Sequence, residues 1–247
     1  MMECSMNNQD ASQLTGQERQ LEIGETGHDV VASAEAARLR RRQFLRGGAV
    51  AVGSAAFAAS MTEEAAAQAV TPAGPRQQMA LLRRHEQDHV DFLVGALGAN
   101  ARPRPTFQGL NQPNLNAFLT VALALENTGS GAYLGAAPAI FDRMVLAQAG
   151  SIALTEARHI GLLNGLRGRP MTLNLFNQEL SFERALTIDE VVMSAGPFVA
   201  SLNGGPPLTF STTPSAPNDI AILNFALALE YLEEEFYEIN VPKFYGV

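Results

Sequence analysis

The chain has 247 residues, of which 47% are hydrophobic and 17% charged, enough for one good-sized domain or two small ones. A net charge of −8 argues against nucleic acid as the main partner. The single cysteine, Cys4, excludes an intramolecular disulfide framework and a thiolate metal site.

Residues 1–39 are polar and poorly periodic, and read as a disordered leader or as upstream sequence from a start codon placed too early. Arg40-Arg41-Arg42-Gln43-Phe44-Leu45-Arg46 follows, then a small-residue apolar run over 47–60 and Ala67-Gln68-Ala69, an A-x-A cleavage pattern. Residues 40–69 thus resemble a twin-arginine signal, with Arg41 and Arg42 as the pair. The apolar run is shorter than the roughly 20 residues of a spanning helix. The alternative is an uncleaved amphipathic anchor. Cleavage predicts a mature domain over 70–247, exported to the periplasm or the extracellular space through the twin-arginine machinery.

The apolar spacing predicts a first long helix over 76–97, stopped at Gly98. A Pro/Gly/Asn-rich connection over 98–113 is long enough to run back along a helix. Asn111 or Asn114 caps the second helix, which reaches about Leu134. The short turn at 135–139 predicts an antiparallel third helix from about Ile140 to Arg167. Residues 168–216 form a second long connection, in which Thr187-Ile188-Asp189-Glu190 is a capping box opening a short helix to Ser194. Residues 202–217 read as coil. Ser215 or Asn218 caps the last helix, 219–239, and Pro242 is expected to end it.

Two internal repeats run through these helices. Glu86-x-x-His89 and Glu156-x-x-His159 align with matching flanks, Leu93 with Leu163 and Gly98 with Gly168. Residues three apart share a helix face, so each pair directs a carboxylate and an imidazole the same way. Ala-Leu-Ala-Leu-Glu recurs at 122–126 and 226–230, and a tyrosine follows seven residues after each glutamate, at Tyr133 and Tyr237. Glu126 and Glu230 therefore lie in the middle of apolar runs. A carboxylate is costly to bury alone, so each either reaches solvent or has a partner in the core. One Glu-x-x-His on each of two helices and one Glu on each of two others is the ligand inventory of ferritin-like di-iron and di-manganese bundles. Four carboxylates would neutralise most of the charge of two divalent cations, and carboxylate with imidazole suits Fe or Mn without choosing between them.

The stretches HEQDHVDFLVGALG, ENTGSGAYLGAAP, TEARHIGLLNGLRG and LNFALALEYLEEEFY resemble the ferritin-like domain proteins that include desiccation-related proteins, many of them bacterial and exported. The resemblance implies an all-α, ferritin-like four-helix bundle and two metal ions, Fe or Mn, held by Glu86, His89, Glu126, Glu156, His159 and Glu230. In that family the segment like LNFALALEYLEEEFY comes first, whereas here it comes last. The order looks like a circular permutation, with 168–216 as the extra long crossover and the new termini together at one end of the bundle. Donation of the last helix to a neighbouring subunit, as a helix-swapped dimer or other homo-oligomer, is the alternative.

His85 reads as a surface histidine off the ligand face. Glu233 and Glu234 read as part of a solvated acidic face, although small Gly129 and Ser130 at the repeat positions leave room for Glu233. Tyr133 and Tyr237 read as core residues with a bonded hydroxyl. The expected function is di-metal carboxylate chemistry on O2, peroxide or Fe(II) in stress protection. The alternatives are a non-catalytic stress or envelope protein and a metal store built on the same bundle. Partners are accordingly a small-molecule oxidant or a metal ion.

Overall fold

The computed structural model describes residues 74–247, so the expected leader and the expected export signal lie outside the described residues. Helix α1 (Pro75–Leu97) starts with proline in its first turn and stops at Gly98, whose φ of 53° suits glycine. Its buried stripe is Met79, Leu82, Glu86, His89, Val90, Leu93 and Leu97, so the Glu-His pair sits inside the apolar face. Helix α2 (Leu115–Ala136) is capped by the Asn114 side chain, which accepts from the Ala117 N–H. A tight 3-10 turn at Ala137–Ala139 reverses the chain. Helix α3 (Arg143–Leu166) then begins later than its apolar pattern suggests, because Asp142 caps it by accepting from the amides of Met144 and Val145. Helix α4 (Ile188–Ala195) carries the expected capping box between Thr187 and Glu190.

Helix α5 (Ala216–Tyr245) corrects the expectation that Pro242 would end it. A proline in the last turn loses one amide donor. The rings of Phe244 and Tyr245, 5.5 and 6.3 Å from that of Phe118, hold the turn against α2 until Gly246 ends it at φ 68°. A short antiparallel pair, β1 (Thr106–Phe107) and β2 (Val199–Ser201), joins the two long connections. Strands of two and three residues are too short to show a period, and residues 199–201 carry no turn signal.

The bundle is all-α, and its buried side chains form two hydrophobic clusters. Arg76 donates to the Gly246 carbonyl and Arg83 pairs with Glu238, so α1 and α5 run antiparallel with their chain ends together. Tyr133 meets Glu230 and Tyr237 meets Glu126, which sets α2 antiparallel to α5. Broad packing joins α1 to α5, α5 to α2, and α2 to α3, while α1 and α3 are sparsely packed neighbours and the diagonal pairs, α1 with α2 and α3 with α5, touch less still. Both long connections therefore run the length of the bundle, as expected of 98–113 and 168–216. Helix α5 packs on α1 and α2 of its own chain, which brings Glu230 into the same core as the other three glutamates. Among the described residues, no helix is long and apolar enough to cross a membrane.

The second connection lies on α2 so closely that only glycine fits beneath it. The Leu186 amide donates to the Gly131 carbonyl at 2.9 Å. A Cβ at Gly131 would sit 2.5 Å from Leu186 Cγ, and one at Gly135 only 2.0 Å from the Leu186 carbonyl oxygen. Gly135→Ala is expected to displace this segment and lower stability by about 1–3 kcal/mol. Gly150 in α3 has nothing within 4 Å of its would-be Cβ. Gly150→Ala is expected to leave stability unchanged or raise it by about 0.5–1 kcal/mol. Urea midpoints of the two variants check this, and equal effects would contradict the close-approach account.

Candidate metal centre

Each helix brings its functional side chains inward through its own repeat. Helices α1 and α3 contribute Glu86 with His89 and Glu156 with His159, and α2 and α5 contribute Glu126 and Glu230. All six are buried, and the four carboxylates are 0% exposed. One quartet, Glu86, Glu126, Glu156 and His159, offers ligand atoms within 4.8 Å of one another, and so does a second, Glu86, His89, Glu156 and Glu230. Glu86 and Glu156 belong to both. Exchanging α1 with α3 and α2 with α5 converts one quartet into the other, so the centre inherits the pseudo-two-fold symmetry of the repeats.

The distances bear out that symmetry. His89 Nδ1 lies 3.2 Å from an oxygen of each of Glu86, Glu156 and Glu230. His159 Nδ1 lies 3.0 Å from Glu86, 3.1 Å from Glu126 and 3.9 Å from Glu156. One imidazole N–H cannot satisfy three carboxylates. Glu86 Oε1 and both oxygens of Glu156 indeed remain buried without a hydrogen bond. The other ends are fixed by the repeat tyrosines: the Tyr133 hydroxyl donates to Glu230 at 2.6 Å and that of Tyr237 to Glu126 at 2.5 Å. Orphaned oxygens on the two shared glutamates, with hard oxygen and imidazole donors around them, fit divalent-cation binding.

The electrostatics express the same crowding. Burial, reinforced by the charges of Glu86 and Glu126, pushes the Glu156 carboxyl well above its ordinary range. Burial also raises Glu230. Burial acts on Glu86 in the same direction, but the close imidazoles of His159 and His89 outweigh it and hold that carboxyl down at about 2. Burial opposes the charge on His89 and His159, and the surrounding carboxylates, Glu230 and Glu126 foremost, nonetheless hold both far above the usual imidazole value.

Three residues are placed differently from their sequence reading. His85 is half-buried and not a surface residue: its Nδ1 is 3.1 Å from His159 Nε2, with the rings stacked at 5.3 Å. Burial, then the charge of His159, lowers it to about 4. It meets His159 across the sparsely packed α1–α3 side, a contact helical spacing alone does not show. Glu233 and Glu234 are 2% and 7% exposed and form no solvated face. Glu234 pairs with Arg104. Burial, followed by the charge of Glu156, pushes the Glu233 carboxyl well above its range. Both are enclosed because α5 is covered around most of its circumference in its middle turns.

The pH dependence has a definite sign. Glu156, Glu230, Glu233, His89 and His159 all hold a proton more tightly folded than unfolded. Their contributions are complete below the unfolded values, about 4.3 for Glu and 6.5 for His, and are lost as pH rises toward the folded ones. Glu86 acts oppositely, its contribution lost only as pH falls through about 2. The metal-free protein is therefore expected to lose stability from about pH 5 to pH 9, with the loss reduced by saturating Mn(II). Urea midpoints in chelator at pH 5, 7 and 9 check this, and a rising midpoint would contradict it.

A family model described as ferritin-like domain matches residues 42–169, just over half of the chain. The match spans α1, α2 and α3 and five of the six clustered residues, and Glu230 on α5 lies beyond it. Comparison with curated proteins and with solved structures finds no match. Four helices, two Glu-x-x-His pairs, a glutamate from each remaining helix and the matched segment lead to one assignment: the chain belongs to the ferritin-like domain family.

Proposed function

We propose that the protein is an exported di-metal carboxylate protein that holds two Fe or Mn ions and acts on O2, peroxide or Fe(II), as a stress-protective protein related to desiccation-related proteins. The observation that carries this reading is the pair of overlapping quartets sharing Glu86 and Glu156. In it, His159 and Glu126 would hold one ion and His89 and Glu230 the other, with Glu86 and Glu156 available to both. Such a pair, when bound, supplies Lewis acidity and electrons for oxidant or ferrous-iron chemistry.

The chain's own part is positioning and insulation. Tyr133 and Tyr237 each keep a proton on the hydroxyl, since burial and then the neighbouring carboxylates raise both well above the phenolic range. Each donates that proton to one terminal glutamate, fixing which oxygen faces inward. Leu82, Leu93, Leu163 and Leu227 are almost without exposure and exclude water along the core. The α1–α3 side, where packing is thinnest and His85 bridges to His159, is the side from which a small oxidant would approach.

Burial of all four glutamates also favours a second reading, in which metal serves stability or storage without turnover. Turnover with peroxide or Fe(II) separates the two. Metal analysis of protein from its native compartment is expected to give about two ions per chain. Glu86→Ala combined with Glu156→Ala is expected to abolish that content, because both shared carboxylates are gone. Near-stoichiometric metal in the double variant would remove the assignment.

Export is supported by Arg41-Arg42, the apolar run and Ala67-Gln68-Ala69. Intact mass of the exported protein is expected to place its first residue near Val70. Replacing both arginines by lysine is expected to leave the precursor in the cytosol, and export at the wild-type level would overturn the signal.

A further inference from the structure

The symmetry between α2 and α5 breaks at one position. Three residues after Glu126 stands Gly129, and three residues after Glu230 stands Glu233. Glu233 is 2% exposed, and its Oε2 has no hydrogen-bond partner. A Cβ at Gly129 would lie 3.0 Å from Glu156 Oε2 and 3.2 Å from Glu233 Oε1. The two carboxylates thus share the space that the glycine leaves open. Glu156 Oε1 faces the nitrogens of His89 and His159, whereas Glu156 Oε2 is turned toward Glu233 with no donor of its own. Two buried carboxylates that share a space and lack donors are costly unless a cation or a proton compensates them.

We infer that Glu233 is a seventh protein ligand, binding a divalent cation of the centre from the Glu156 Oε2 side and making the two ion positions inequivalent. The inference rests on the two-ion reading above. It explains why the mate of Glu233 is glycine: any side chain at 129 would push against both oxygens. A fifth carboxylate also adds a hard oxygen donor, which shifts preference toward Mn or Fe and away from softer, four-coordinate binding.

The test is titration of the full chain, stripped by chelator, with Co(II), whose visible bands weaken as coordination number rises. Wild type is expected to bind two ions. Glu233→Gln is expected still to bind two, with one dissociation constant raised about 10–100-fold and stronger visible bands. Gly129→Ala, which keeps every carboxylate, is expected to weaken the same ion. Unchanged affinities and an unchanged spectrum in Glu233→Gln would overturn the seventh ligand and leave the two-ion centre standing, with Glu233 a buried neutral acid. Wild type that binds no Co(II) would overturn both. Should the variants fail to fold, a Co(II)-loaded wild-type crystal structure decides. A Glu233 oxygen at roughly 2.0–2.3 Å from an ion supports the inference, and one beyond bonding distance from both ions overturns it.

Discussion

Four fully buried glutamates converge on two imidazole nitrogens, and the rest of the bundle is arranged around the cost of holding them there. An isolated carboxylate in a packed core is destabilising by several kcal/mol. Here the charges are compensated within the cluster, by imidazolium and by protons kept on Glu156, Glu230 and Glu233, each raised by burial first, with carboxylate charge adding to it at Glu156 and Glu233 and the His89 charge opposing it at Glu230. Divalent cations would replace those protons with stronger partners. The same crowding that makes the metal-free core expensive therefore makes it a good receptor for cations.

That constraint dictates which helix can lie beside which. The tyrosines of α2 and α5 cross over to the other helix's glutamate, so the two helices must run antiparallel with the stretch from Glu126 to Tyr133 alongside that from Glu230 to Tyr237. Leucines beside the site pack the interior, and small residues sit where something else must come close. Gly129 leaves space for two carboxylates, and Gly131 and Gly135 let the second crossover rest on the α2 backbone. Substitutions at these glycines act on the site and on the connection separately, because the first meets charged oxygens and the other two meet Leu186.

The four helices, the antiparallel α2–α3 turn and the inward direction of the six Glu and His residues were legible in the sequence because each is local. Spacing of three and four places residues on a face, and two repeats tie distant faces to each other. Features that depend on how elements meet were not legible. His85 lies off the motif face of α1, and its contact with His159 depends on how α1 and α3 meet. Glu233 and Glu234 look solvated in EEE, and are buried because α5 is enclosed in its middle turns. Pro242 reads as a stop, yet ring packing on Phe118 carries the helix past it. The strand pair needs two loops far apart in sequence, so no local pattern announces it.

Helix α5 is the element on which the connectivity argument turns. It lies beyond the matched region, yet it carries Glu230, the Tyr237 that fixes Glu126, and the hydrophobic side chains that cover α1. A bundle of α1 to α3 alone would have three glutamates and an open apolar face. The site therefore requires a fourth helix of this sequence in this position, whichever end of the chain supplies it. The described ends of α1 and α5 meet at Arg76 and Gly246, so a short link there together with a break in the second crossover would move the helix from last to first without moving a ligand. The proposed permutation thus changes the order of the chain and leaves the chemistry of the core intact, which is why a repeat in the sequence can point to the site even when the order of its parts differs.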